Sequence, residues 1–232
     1  ASEVPVGSGL SSSAALEIAV MRGLRQLFGL DLDDPREMAG LARYRAESGK
    51  TMQQGVAYLG QPSTSGVNPG RMVMAVRQLF PPDAITVLDG GNTTLTGVAF
   101  HPILSSPSFL YSVKMGYLGT GLPFAIGAQL AAPERPVYLL TGDGAFGFNV
   151  MELETAVRAG TPIVCVVAVD NGWGMERSAH RMKGVAPERS QGTEIMPGVR
   201  YDLIAAAMGC HGEYVAEMAE LAPALERAIA AG

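Results

Sequence analysis

Residues 136–172 read PVYLLTGDGAFGFNVMELETAVRAGTPIVCVVAVDNG, and they decide the fold. One apolar run, PVYLLT, ends in the turn Gly142-Asp143-Gly144. NVMELETAVRAG follows with helical spacing and a natural stop at Gly160, and a second apolar run ends in Asp170-Asn171-Gly172. Strands apolar on both faces that alternate with helices belong in a parallel sheet covered on both sides. The right-handed crossover of a strand–helix–strand unit brings both strand ends to one edge of the sheet. Two turns bearing side-chain oxygens are therefore expected side by side.

The same pattern extends outward. RMVMAVRQLF (71–80) predicts a helix, AITVLDGGN (84–92) a buried strand ending in the turn Asp89-Gly90-Gly91-Asn92, and GTGLPFAIGAQLAA (119–132) a glycine-led helix. DLIAAAMGC (202–210) and MAELAPALERAIAA (218–231) supply later helices. The fold class is α/β over residues 70–232: a doubly wound parallel sheet with helices on both faces. A short helical segment over residues 1–49 precedes it. There a Gly/Ser loop runs into an amphipathic helix, with Leu16, Ala19, Val20, Gly23, Leu24 and Leu27 at helical spacing. A second helix is expected after Asp33-Asp34-Pro35. Residues 50–69, rich in Gly, Ser, Pro and Gln, read as a linker.

Composition narrows the function. The chain has 232 residues, is 47% hydrophobic and 17% charged, and carries a formal net charge of −5. It can bury a large core, and without a basic cluster it suits neither nucleic acid nor an anionic membrane. Two cysteines make neither a disulfide framework nor a metal-ligand pair; Cys165, inside an apolar run, reads as a small buried hydrophobe. No apolar run reaches the ~18 residues of a spanning helix and no signal peptide opens the chain, so a cytoplasmic setting is expected. The chain opens on Ala and stops at AIAAG, and both ends read as cuts through something larger.

Ligands in open α/β sheets gather beyond the carboxyl ends of the strands, where the three turns fall. Gly144 opens a helix whose free N–H groups favour an anion, and glycines flanking Asp143 let a phosphate approach the backbone closely. Hard oxygen ligands beside such a terminus suit Mg²⁺, which takes a few carboxylates plus phosphate oxygens. A single polar turn reads equally as a helix cap, with Asp143 as N-cap. Three such turns at three successive strand ends favour a magnesium–phosphate site.

GDGAFGFNVMELETAVRAGTPIVCVVAVDNGWGM resembles the cofactor motif of thiamine-diphosphate-dependent enzymes: Gly-Asp-Gly, some 25 residues, then an Asn-rich turn. VNPGRMVMAVRQLFPPDAITVLDGGN and GYLGTGLPFAIGAQLAAPERPVYLLTGDG extend the resemblance over about residues 66–231, the diphosphate-binding domain of the acetolactate synthase and 2-oxo acid decarboxylase group. The resemblance implies thiamine diphosphate and Mg²⁺ as cofactors. Asp143 would ligate the metal through its carboxylate and Gly172 through its carbonyl. The second side-chain ligand falls on Asp170 by spacing, where the family more often has Asn; Asn171 stands one position late, and the choice between them stays open. Gly91, Asn92 and Thr93 match a diphosphate-holding loop, joined by Gly142, Gly144, Ala145 and Phe146. Leu118 matches the bulky residue that keeps the cofactor bent, and Gly116 would offer its carbonyl to the aminopyrimidine.

The implied chemistry is attack of the cofactor on the carbonyl of a 2-oxo acid or aldehyde, leading to decarboxylation or carboligation. The activating glutamate of this family comes from a separate pyrimidine domain, usually on a partner subunit, and nothing in residues 1–65 resembles that domain. The catalytic residue is thus expected on a pyrimidine-domain-bearing chain or within a homo-oligomer, and this chain alone reads as inactive. Among the histidines, His180 is the one placed to face substrate; Trp173 and Met175 either line a pocket or pack.

VPVGSGLSSSAA (4–15) and the helix after it, to about Glu47, resemble the phosphate loop of galactokinase-type sugar kinases, with Ser11, Ser12 and Ser13 supplying hydroxyls. The rest of that family's sugar site is absent, so these residues read as a fused fragment. SGKT at 48–51 lacks the preceding glycine of a nucleotide-binding P-loop, since position 44 is Tyr44.

Overall fold

The computed structural model of the chain describes Ala57 and residues 66–112 and 116–231. The segment expected over residues 1–49, and most of the 50–69 linker, lie outside the described residues. The chain divides into two compact units, 1–60 and 61–232, and the fold below is that of the second.

Four parallel strands form one sheet: β1 (Ile85–Leu88), β2 (Phe109–Tyr111), β3 (Val137–Gly142) and β4 (Ile163–Ala168), in the order β2-β1-β3-β4. From β1 the chain winds outward to β2 and then returns to build β3 and β4 on the other side. The direction of winding therefore reverses between β1 and β3. Register pairs Leu88 with Leu140 and Gly142 with Ala168, which sets the ends of β1, β3 and β4 at neighbouring positions.

The period-2 alternation of the strands sorts the core into two layers. Ile85, Val87, Val137 and Leu139 face α3 (Gly121–Ala131) and α5 (Glu152–Ala159), burying Leu122, Ala125, Ile126, Leu153 and Ala156. Leu88, Tyr138 and Leu140 face α1 (Pro69–Leu79) and α8 (Met218–Ala230), burying Met72, Val73, Val76, Leu221 and Leu225. The doubly wound α/β reading of the sequence holds, with helices on both faces.

Helix ends follow local chemistry. Asn68 Oδ1 accepts from the Arg71 N–H at 3.0 Å ahead of Pro69, satisfying an orphan donor where proline costs nothing. Gly160 closes α5 at φ 61, a left-handed position that glycine enters without strain.

Among the elements that went unread in the sequence are β2, α2 (Asn92–Phe100) and α6 (Gly174–Met182). NTTLTGVAF has poor helix propensity, and packing decides it. A Cβ on Gly97 would stand 2.6 Å from Leu88 Cδ1, so glycine there lets α2 lie against the strand. The helix expected over 149–160 begins at Glu152, and a separate short turn, α4 (Asp143–Phe148), precedes it. β4, apolar in sequence, is half-buried along its length because it forms the sheet's edge among the described residues. No helix among the described residues is long and apolar enough to cross a membrane.

Candidate cofactor site

The switch point between β1 and β3 is where an open α/β sheet leaves a crevice for a ligand. Here the two turns meet closely: a Cβ on Gly90 would stand 3.1 Å from the Gly142 backbone nitrogen. Any side chain at Gly90, itself at φ 93, would push the turns apart. Thr93, buried on the first turn of α2, points its hydroxyl toward Gly142. An open cleft of about 2010 Å³ lies over these turns and continues down the edge of β4 to the segment after α7 (Tyr201–Ala207).

Asp89 is 4% exposed. Its carboxylate accepts from the N–H groups of Gly90 (2.7 Å), Gly119 (3.3 Å) and Gly121 (2.8 Å). It thereby ties the Gly116–Gly121 loop to the end of β1. Asn149 fastens the same loop from the other side, donating from Nδ2 to the Gly119 carbonyl at 2.6 Å. Leu118 and Gly116, the latter at φ 64, line the cleft on this loop. Burial pushes the Asp89 pKa up, and the three N–H groups oppose that rise.

Asp143 is 2% exposed and is the first residue of α4; the N-cap is Gly142. The reading of Asp143 as N-cap is thus displaced by one residue. Its Oδ1 accepts from the Gly144 N–H at 2.8 Å and its Oδ2 from the Gly172 N–H at 3.2 Å, so the turns after β3 and β4 are joined through one carboxylate. Burial raises the Asp143 pKa most, and the charge of Asp170 raises it further. Asp143 and Asp170 lie in the same cleft. Ala145 and Phe146 follow, buried on α4, and the Phe146 ring meets Tyr201 edge-on at 5.9 Å.

The turn after β4 is held differently. Asp170 is 49% exposed at its side chain, and Arg177 of α6 lies 3.0 Å from its Oδ2. A Cβ on Gly174 would run into the Asp170 carboxylate and the Asn92 amide, which places both beside the N-terminus of α6. Asn171 sits at φ 58, a conformation asparagine tolerates, so its identity has a backbone reason as well as any ligating one. A bridge from Gly172 to Glu194, with N–H donation from Trp173 to Thr193 and from Ile195 to Asn171, clamps the turn against residues 193–195.

Trp173 covers Gly144: a Cβ there would stand 2.9 Å from the indole ring. Met175 covers Gly91 in the same way, at 3.0 Å. Both residues therefore pack on the glycines of the turns while also lining the cleft. His180 faces Ser190, Nδ1 to Oγ at 2.7 Å, and His211 pairs with Glu213. The structure thus brings together Gly91, Asn92, Thr93, Gly142, Asp143, Gly144, Asp170, Asn171 and Gly172 on one cleft. Sequence reading passed over the carboxylate of Asp89 as an organiser, although DGGN had marked its turn, and Arg177, which no local pattern signals.

A crevice at the winding reversal, built from glycine turns and acidic side chains, defines the protein as a binder of a phosphate-bearing cofactor. The comparisons give the family. The model of the thiamine pyrophosphate enzymes, C-terminal TPP binding domain, matches residues 89–232, and the chain belongs to that family. Its cofactor is thiamine diphosphate. A model of the GHMP kinases N terminal domain matches residues 1–61. The chain is 41% identical over 167 residues to a probable acetolactate synthase of Mycobacterium bovis, covering 72% of this chain and 30% of that protein. It is 32% identical over 241 residues to the sulfoacetaldehyde acetyltransferase of Rhodobacter capsulatus, covering 97% of this chain and 40% of the relative. The structure resembles the thiamine diphosphate-dependent 4-hydroxybenzoylformate decarboxylase of Rhodococcus jostii RHA1, with TM-score 0.67 and 28% identity over 73% of this chain and 32% of that one. The matches therefore span between 30% and 40% of the length of these relatives.

Proposed function

We propose that residues 70–232 form the Mg²⁺-dependent thiamine-diphosphate-binding part of an acetolactate-synthase-like enzyme acting on 2-oxo acids or aldehydes. The observation that carries the reading is the convergence on Asp143: a buried carboxylate held by backbone N–H groups from two turns, with a second acid, Asp170, sharing its cleft. Among the described residues no three His, Cys, Asp or Glu side chains form a metal cluster. Mg²⁺ needs no such cluster, because one or two carboxylates plus phosphate oxygens and water suffice. The donor set therefore fits.

In this reading Asp143 and either Asp170 or Asn171 hold the cation, with the Gly172 carbonyl. Gly91, Asn92, Thr93 and the Gly142–Phe146 turn receive the diphosphate. Leu118 shapes the bound cofactor and Gly116 offers its carbonyl to the pyrimidine. When bound, the cofactor supplies a nucleophilic carbon for attack on a 2-oxo carbonyl. The chain's own task is to bind it, bend it and exclude water beneath Trp173 and Leu118. A glutamate that activates the pyrimidine belongs to a pyrimidine-domain partner or a second copy, so the chain is inactive alone, in a cytoplasmic setting. Residues 1–49 are a sugar-kinase-like fragment and 50–69 a linker; the family match over residues 1–61 supports a phosphate-loop origin for the former.

Calorimetric titration of thiamine diphosphate, with and without Mg²⁺, tests the reading against Asp143→Ala. Magnesium-dependent binding by the wild-type chain, lost in the variant, is the expected result. Equal binding by both proteins sinks the assignment. ATP titration of the same chain tests the sugar-kinase alternative.

A further inference from the structure

Three acids stand at the strand ends, and they are answered in two ways. Asp89 and Asp143 are met by backbone N–H groups, whereas Asp170 is met by a side chain. Arg177 Nη2 lies 3.0 Å from Asp170 Oδ2 and donates to the Asp170 carbonyl at 2.8 Å, while Nη1 donates to Glu194 Oε2 at 3.0 Å. Asp170 also shares the space around Gly174 with the Asn92 amide, which a Cβ on Gly174 would approach to 2.6 Å. Asn92 opens α2, where the diphosphate is proposed to sit. An anionic ligand at Asn92 would therefore meet the Asp170 carboxylate at short range.

The path of this turn does not require Arg177. Trp173 and Ile195 already fix it by backbone bonds to Thr193 and Asn171, at 2.8 and 2.9 Å. Its guanidinium adds a positive charge, held in place by two carboxylates and a carbonyl, and only 24% exposed. A fork of fixed donors suits that task better than a mobile ammonium.

We infer that Arg177 is a positioning residue of the cofactor site: it neutralises Asp170, so that an aspartate can stand in this turn, as a ligand of the cation or beside it, without adding net negative charge next to a bound diphosphate. The inference rests on the thiamine-diphosphate reading above.

The test is a double-mutant cycle on the full chain, comparing wild type, R177M, D170N and D170N/R177M. Thiamine diphosphate is titrated at saturating Mg²⁺ and followed by calorimetry and by the fluorescence of Trp173, the one tryptophan of the sequence. R177M is expected to weaken binding about tenfold with Asp170 present and less than about twofold in the D170N background, a coupling of at least about 1 kcal/mol. Raising the salt concentration should restore part of the R177M loss, because screening weakens repulsion between Asp170 and the diphosphate. R177K, which keeps the charge, should bind within about threefold of wild type. An equal loss in both backgrounds, or an R177K defect as large as that of R177M, overturns the inference and leaves Arg177 a structural clamp. A wild-type chain that binds no cofactor overturns the proposed function and this inference with it.

Discussion

The turns after β1 and β3 and the turn after β4 carry similar residues but are built on different physics. Asp89 and Asp143 are buried and satisfied by N–H groups of their own or neighbouring turns. That arrangement has little freedom to lose, so this half of the site stands ready without its ligand. Asp170 is half-exposed and depends on Arg177 and on strand-like bonds to residues 193–195. Side-chain ion pairs near water are weak and adjustable. The contrast teaches that one cleft can pair a rigid cradle with an adaptable wall, and that burial decides which is which.

Breaking the rigid half should cost most. Asp89→Ala leaves the N–H groups of Gly90, Gly119 and Gly121 without their acceptor, and a loss of about 3 kcal/mol is expected in urea unfolding. A loss below about 1 kcal/mol would mean that water replaces the carboxylate and that the cradle is less rigid than its geometry implies.

The far end of α2 offers a second handle on the same half. His101 Nε2 lies between Thr86 Oγ1 (3.0 Å) and Tyr138 Oη (2.6 Å), and burial, with Arg77 nearby, lowers its pKa from 6.5 to about 4. A histidine depressed in this way is neutral in both states above pH 6.5 and contributes no pH-dependent term there. As pH falls from 6.5 toward 4 the unfolded chain takes up the proton first, and stability drops by about 2 kcal/mol once the shift is discounted for the solvent that reaches this partly buried ring. His101→Gln should flatten that part of a thermal-melt profile; an unchanged slope would refute the buried neutral ring.

Asp143 has the opposite sign. Its folded pKa is raised, so ionisation costs the folded state, and stability falls as pH rises through that pKa. Asp143→Asn should therefore raise the melting temperature at pH 7 without ligand, the gain shrinking as pH is lowered, while removing cofactor binding. A variant less stable than wild type at pH 7 would show that its N–H partners outweigh its burial.

The adaptable wall should give the smallest response. Glu194 is 67% exposed at its side chain, and Glu194→Gln is expected to change unfolding stability by less than about 0.5 kcal/mol. A larger loss would put this wall in the same class as the cradle.

Much of this was legible beforehand. PVYLLT and PIVCVVAV are apolar enough to be strands nowhere but in a covered parallel sheet, and Gly160 and Asn68 mark helix ends by their own chemistry. The Gly-Asp-Gly and Asp-Asn-Gly turns announced oxygen donors at strand ends. What escaped was nonlocal. α2 has a weak sequence pattern and exists because Gly97 lets Leu88 pack against it. β2 has three residues, too few for periodicity to register. Asp89 looked like one more turn residue, because a carboxylate's acceptor role depends on donors 30 and 32 positions away.

By itself the sequence determined the alternation of strands and helices, the places where the chain turns, and which turns carry acids. These follow from hydrophobic period and from glycine's freedom, both local properties of the chain. Only the tertiary structure decided that winding reverses between β1 and β3, that Asp143 takes N–H groups from two turns, and that Asp170 is answered by Arg177. Those outcomes depend on strand order and burial, which arise when residues distant in sequence exclude water together.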